Sequence, residues 1–207
     1  MSLKEELKAS KILFISRNKN KFVEAFEILK PYNILLDWIF FPKFEIQALN
    51  LSEIASFAAR KAFEHLRKPL IVEDDGLFIK TLNGFPGPFS SYVYSTIGVN
   101  GILKLMNGVK DRECYFESAV AFCSEGICEV FIGRVYGFIS EVARGQKGFG
   151  YDPIFIPKGE NTTFAEISLE HKCLISHRAL ALRSFATWFL KNFKYFSQHL
   201  FHVNTGG

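Results

Sequence analysis

Apolar and polar positions along the chain switch between two periods, and the switches mark the elements. Residues 11–16 (KILFIS) form a short continuous apolar run, the pattern of a buried strand. The run passes through the polar stretch SRNKNK into FVEAFEILK, where Phe22, Phe26 and Leu29 recur at helical spacing and Pro31 stops the helix. Residues 33–41 read as a second strand, closed by Pro42. Over residues 51–67, Leu51, Ile54, Ala55, Ala58, Ala62 and Leu66 make one helical face, with Ser52 as the expected cap and Pro69 beyond the end. Residues 70–72 then give a short β-rich run that leads without a break into Glu73, Asp74 and Asp75.

The second half begins with turn chemistry, NGFPGP at residues 83–88, and a candidate helix over 99–106. Residues 113–123 and 127–139 are β-rich and separated by Ser124-Glu125-Gly126, which predicts a hairpin. A Gly-rich loop, GQKGFGYDP, precedes a strand-like run at 154–156. Residues 168–193 read as one long helix with Leu174, Ala181, Phe185, Trp188 and Phe189 on its apolar side, and the order of the tail from Phe196 is left open. Strands alternate with helices early and a hairpin comes late, so the expected fold class is α/β with a mixed sheet. There is no internal repeat and no low-complexity linker, so residues 1–207 are expected to form one domain.

Composition narrows the class. Of the 207 residues 48% are apolar and 22% charged, which excludes a disordered chain. The 23 phenylalanines are too many to expose, so many must be core. A net charge of +4, with the basic residues dispersed, suits an anionic ligand without demanding a nucleic-acid partner. The four cysteines form no CxxC pair and no zinc spacing, and they are expected to be reduced thiols in a cytoplasmic protein. The charged start MSLKEELKAS has no apolar signal region, and no run reaches the length of a membrane span.

Four clusters can carry chemistry. SRNKNK lies where a strand gives way to a helix, so unpaired backbone N–H groups, the helix dipole and Arg17, Lys19 and Lys21 together suit an anion. It has no glycine and is not a P-loop; taken alone it reads better as a solvated basic loop with Asn18 as a helix cap. VEDDG puts three carboxylates in succession, and strand alternation lets at most two share a face. Such density needs a neutralising cation, and hard oxygen ligands suit Mg²⁺; the alternative is an acidic turn. GFGYDP can bring backbone close to a planar ligand while Phe149 stacks on it, or it can be a tight turn with Phe149 and Tyr151 in the core. In HKCLISHRALA, Lys172 and Ser176 lie one helical turn apart, followed by His177 and Arg178. Cations at a helix start oppose the dipole, an arrangement that calls for an anion there or for Lys172 outside the helix.

In order along the chain, SRNKNKFVEA, FEIQ, VEDDGL, NGFPGPF, GFGYDPIF, TFAEI and K-x-x-x-SHR-x-A resemble the inosine triphosphate pyrophosphatase family, from Ile12 to about Ala181. The resemblance implies an elongated α/β fold of two lobes around a long mixed sheet, with the active cleft between them, and a homodimer. It implies Mg²⁺-dependent hydrolysis of ITP, dITP and XTP to the monophosphate and pyrophosphate. By motif position, Ser16, Asn18 and Lys21 would bind phosphates, with Lys21 also serving catalysis. Asp74 would be the catalytic carboxylate and a metal ligand, with Glu45 and Glu73 as further metal ligands. Phe149, Gly150, Tyr151 and Asp152 would form the base loop, and Lys172, His177 and Arg178 would close over the nucleotide. Asp75 stands where many members carry a Ser or Thr that touches the substrate. Two rival readings are a Maf-like pyrophosphatase of pyrimidine or modified nucleotides and a nucleotide- or RNA-binding protein without catalysis.

Overall fold

The computed structural model describes residues 11–42, 44 and 46–200, with only the helical backbone for 194–200. Strands β1 (Lys11–Ile15), β2 (Leu35–Ile39) and β3 (Leu70–Ile79) enclose helices α1 (Lys19–Leu29) and α2 (Leu51–Leu66) in sequence. There follow β4 (Pro86–Gly87), α3 (Ser90–Thr96), α4 (Gly98–Leu105), β5 (Glu113–Ser124), β6 (Ile127–Ile139) and β7 (Phe155–Pro157). Helices α5 (Leu169–Ile175) and α6 (His177–Leu200) close the described chain.

One mixed sheet runs in the order β2-β1-β3-β5-β6-β7, with β4 also beside β3. β1 pairs in parallel with β2 and β3, and every other pairing is antiparallel. The long strands β3, β5 and β6 pass from one lobe into the other. In the first lobe, Ile71, Val120 and Phe122 face α1 and α6 through Ala25, Leu29, Leu182, Phe185 and Phe189. On the opposite face Leu70, Val72, Ala119 and Ala121 meet α2. That helix presents Ala55, Ala58, Ala59 and Ala62, small side chains that let it lie close to the sheet. The second lobe packs Leu77, Ile79, Phe116, Ile139 and Phe155 against Val93, Ile102 and Met106. Much of the phenylalanine content is in these cores: Phe122, Phe185 and Phe189 stand with ring centroids 5.3–5.5 Å apart.

The α/β class, the mixed sheet and the two lobes agree with the sequence reading, and several local details differ. α2 is capped by Asn50, whose side chain accepts from Ser52 N at 2.8 Å, so Ser52 is the second helical residue rather than the cap. β3 does not stop at Val72 but carries the acidic residues on to Ile79, because β5 pairs with it along its whole length. The short helix α3 lies between the expected turn at 83–88 and the expected helix at 99–106, in a stretch whose pattern assigned no element. The single helix over 168–193 is two helices, broken where Ser176 is extended (φ −74°, ψ 160°). Ser168 Oγ accepts from His171 N and Ser176 Oγ from Ala179 N, so a serine caps each helix start and competes with helical backbone bonding. The hairpin register sets Cys123 opposite Cys128, Cα–Cα 4.1 Å, and the pair is a disulfide. The expectation of four reduced thiols therefore holds only for Cys114 and Cys173, which are buried and free. No described helix is long and apolar enough to cross a membrane.

The start of α6 sits directly on β6 at Gly133. A Cβ there would lie 2.1 Å from His177 O and 2.5 Å from Ala181 N, both backbone atoms. Gly133→Ala should therefore push α6 off the sheet and cost about 1–3 kcal/mol. Urea unfolding of the variant checks this, and wild-type stability would show that the contact is not tight.

Candidate active site

The site arises from a gap in the sheet. β1 pairs with β3 only as far as Val72, and β4 takes over that edge at Leu77. Between them, Glu73, Asp74, Asp75 and Gly76 are paired to β5 alone. An opening at the carboxyl end of a parallel strand is where α/β sheets commonly take ligands. Here it lies between the cores of the two lobes and forms a cleft of about 620 Å³. Because this stretch of β3 lies at an open edge, side chains on both of its faces reach the cleft.

One wall is the connection from β1 to α1. Asn18 Oδ1 accepts from Asn20 N at 2.9 Å and caps α1, while Ser16 Oγ accepts from Asn18 N at 3.0 Å. Trp38 Nε1 donates to Ser16 O at 2.8 Å and ties the turn to β2. The turn is thus set before any ligand arrives, and it places Lys21, in the first turn of α1, at the cleft.

The floor is an ionic network around Arg178, which is fully buried. Its Nε donates to Glu73 Oε2 at 2.9 Å, its Nη2 to Asp75 Oδ2 at 2.5 Å, and its Nη1 to Glu24. Lys172 Nζ is 2.7 Å from Glu24 Oε1 and 2.5 Å from Asp152 Oδ2. Lys21 Nζ is 2.5 Å from Asp75 Oδ1. Ser118 Oγ donates to the other Glu73 oxygen at 2.8 Å. Burial opposes charge on Lys21, Glu24, Asp75 and Arg178, and pairing overrides it at all four. Lys21 and Asp75 hold each other charged, so the lysine is raised and the carboxyl held well below the carboxylate range; Arg178 is raised by Glu73, Glu24 and Asp75. Glu24 is lowered by Arg178 and Lys172 against its burial. At Asp152 burial wins, and the carboxyl is raised although Lys172 pulls it down.

The aromatic wall is the loop through Phe149. Asp152 Oδ2 accepts from Phe149 N at 2.8 Å and closes the turn. Gly148 is required there: its φ is +72°, and a Cβ would fall 2.0 Å from that same oxygen. Phe149 is half-buried and lies over Lys172 Nζ (4.6 Å) and the Arg178 guanidinium (5.4 Å), a cation–π lid on the network. Tyr151 is buried, edge-on to Tyr94 at 5.4 Å, and its hydroxyl donates to Ser90 O at 3.2 Å. His177 stacks on Phe116 at 4.6 Å with an 11° tilt. Burial lowers its pKa and favours the neutral ring. Its Nε2 is 3.6 Å from Asp75, too far for a hydrogen bond, and both ring nitrogens are buried without a partner.

The cleft thus gathers Ser16, Asn18, Lys21, Glu73, Asp74, Asp75, Phe149, Gly150, Tyr151, Lys172, His177 and Arg178 from five separate stretches of chain. Asp152 stands behind the wall, holding Phe149 and Lys172. Glu45, expected as a metal ligand, lies outside the described residues. Glu73 engages Arg178 with one oxygen and Ser118 with the other. Arg178 and Lys172 were expected to close over a nucleotide; they lie under Phe149 with their donors on carboxylates. Among the described residues no three His, Cys, Asp or Glu side chains converge as a ready metal cage. Sequence reasoning passed over Glu24 and Ser118. Glu24 had a signal: it shares the buried face of α1 with Ala25, Ile28 and Leu29, and a carboxylate in that position needs a buried cation.

A family model described as the Ham1 family matches residues 12–188. A relative from Methanopyrus kandleri named dITP/XTP pyrophosphatase is 50% identical over 183 residues, 88% of this chain and 97% of that protein. One from Saccharolobus solfataricus with the same name is 52% identical over 176 residues, 85% of this chain and 92% of its own. Among solved structures, a HAM1 protein from Coxiella burnetii superposes with a TM-score of 0.77 at 28% identity, covering 88% of this chain and 99% of that one.

Removing Glu24 leaves Lys172 and Arg178 under-compensated in a buried place. Glu24→Ala should cost about 3–5 kcal/mol in chemical denaturation. Because the folded carboxyl is depressed, its contribution is present above the ordinary carboxylate range and is lost as pH falls through the depressed value. Glu24→Gln should lack that part of the acid loss; an identical pH–stability curve would remove Glu24 from the network's energetics.

Proposed function

The chain belongs to the Ham1 family, and from that premise we propose that it hydrolyses deaminated purine nucleoside triphosphates, dITP, XTP and ITP, to the monophosphate and pyrophosphate. The observation that carries this reading is the convergence, in one cleft, of a capped strand–helix turn bearing Lys21, the carboxylate of Asp74 and an aromatic loop. The first suits a phosphate chain, the second a water, the third a purine.

Strand alternation puts Asp74 on the face opposite Glu73 and Asp75, and it lines the cleft, where its charge helps hold Lys21 protonated. That donor fits Mg²⁺, which takes one or two carboxylates and fills its remaining positions with water and substrate phosphate. Asp74 would hold the ion, with Glu45 as the second carboxylate the family motif supplies. When bound, Mg²⁺ supplies positive charge to the phosphate oxygens. Lys21 pairs with the phosphate chain and Asn18 and Ser16 fix the turn beneath it. Asp74 orients a water and takes its proton as the oxygen bonds to the α-phosphorus. The bond from the α-phosphorus to its bridging oxygen breaks, and the electron pair leaves with pyrophosphate.

Base choice follows from hydrogen-bond sense. Hypoxanthine and xanthine carry an accepting oxygen at C6, where adenine carries an amino donor. A donor facing that position is satisfied by the first two and left unpaired by adenine, a mismatch of about 1–3 kcal/mol per group. The half-buried Phe149 offers the stacking face. We take the working molecule to be a cytosolic homodimer.

Pyrophosphate release should be fast from ITP, dITP and XTP, slow from ATP, and dependent on Mg²⁺. Release from pyrimidine or modified nucleotides instead would favour a Maf-like enzyme, and release from none would favour a binding protein. Asp74→Asn should lower kcat by about 10²–10⁴ with the circular dichroism spectrum intact; normal turnover in that variant would reject Asp74 as the base.

A further inference from the structure

We propose that Asp75 is the resident counter-ion of the phosphate site: it holds Lys21 in the ligand-free cleft and gives the lysine up to a substrate phosphate on binding. The inference rests on the nucleotide reading of the cleft, and it assigns a role to a carboxylate that an anionic substrate would otherwise oppose. The geometry is specific. The two oxygens of Asp75 serve two different cations, Oδ1 facing Lys21 at 2.5 Å and Oδ2 facing Arg178 Nη2 at 2.5 Å. Arg178 is fully buried and also held by Glu24 and Glu73, so it cannot leave its place. Lys21 sits at the end of a four-carbon stem in the first turn of α1 and lines the cleft, so it can rotate toward a ligand.

Two consequences follow. In the free protein Asp75 is the carboxylate in direct contact with a lysine that is largely buried, and Glu73 and Asp74 add to its compensation only through their fields. On binding, Lys21 changes partner while Asp75 stays on Arg178. The phosphate chain thus competes with a carboxylate for the same ammonium, and it must bring more negative charge than that carboxylate to win. A triphosphate meets this condition better than a monophosphate. Asp75 therefore lowers affinity for every phosphate ligand that takes Lys21, the monophosphate product included, and so favours product release.

The test uses inorganic tripolyphosphate, which has no base, in calorimetric titrations of the full-length protein. Asp75→Asn, which keeps the shape and removes the charge, should bind tripolyphosphate about tenfold tighter. Asp75→Glu, which keeps the charge, should remain near wild type. The KM for XTP should fall in Asp75→Asn by more than kcat changes, and product inhibition by the monophosphate should strengthen. In a Lys21→Met background the Asn effect should shrink toward zero, because the shared ammonium is gone. Unchanged or weaker tripolyphosphate binding by Asp75→Asn would overturn the proposal and make Asp75 a residue that merely positions Lys21. Should Asp75→Asn fail to fold, the wild-type protein decides: tripolyphosphate should move the ¹³C signal of the Asp75 carboxylate, and a static signal overturns the exchange. If the wild type hydrolyses no nucleotide, the functional reading fails on its own, while the tripolyphosphate titrations still decide the role of Asp75.

Discussion

The structure depends on one buried guanidinium. Arg178 is held by Glu24 from α1 and by Glu73 and Asp75 from β3, so a single side chain of α6 joins two other elements. A charge this deep persists only when its partners are in place, and it helps in turn to hold Glu24 and Asp75 charged. The planar fork of arginine can address three carboxylates in different directions, and the lysine point charge beside it binds only two. The network is therefore a register: it fixes where α1 and the start of α6 stand relative to the middle of β3.

The place of the network follows from the sheet. β3 is buried on both faces in either lobe, through Leu70–Val72 at one end and Leu77–Ile79 at the other, and polar only between them. There the neighbouring strand changes from β1 to β4, and the open edge gives the carboxylates access to solvent and ligand. Three acidic residues in succession would be untenable inside either core. At the junction Glu73 and Asp75 bind the buried guanidinium directly, and Asp74 faces the other side of the strand. The same junction lets Phe149 cover Lys172 and Arg178, so the cations are shielded from water while their field still reaches the cleft.

The sequence by itself determined the elements and the chemistry of their ends. The apolar runs named β1, β2, the β5–β6 hairpin and the two early helices, because burial imposes its period on side chains locally. The motif strings named the family and most of the residues that line the cleft, though not Ser90, Ser91, Tyr94 or Phe116. Composition placed the phenylalanines in the core for the same reason, that their area cannot stay in water.

Tertiary structure decided the partners. No spacing says that Glu24 meets Arg178, 154 positions away, or that Asp75 shares its two oxygens between Lys21 and Arg178. The pattern gave no sign that β3 runs on past its acidic residues to Ile79, because that strand is held by pairing with β5 and not by its own propensity. It gave none that the helix over 168–193 breaks at Ser176, since the apolar period runs across the break and only side-chain capping on both sides reveals it. The Cys123–Cys128 bond was hidden for a like reason: it comes from hairpin register, a relation between strands. Periodicity reports which face of an element is buried; what that face meets depends on how the chain closes in space.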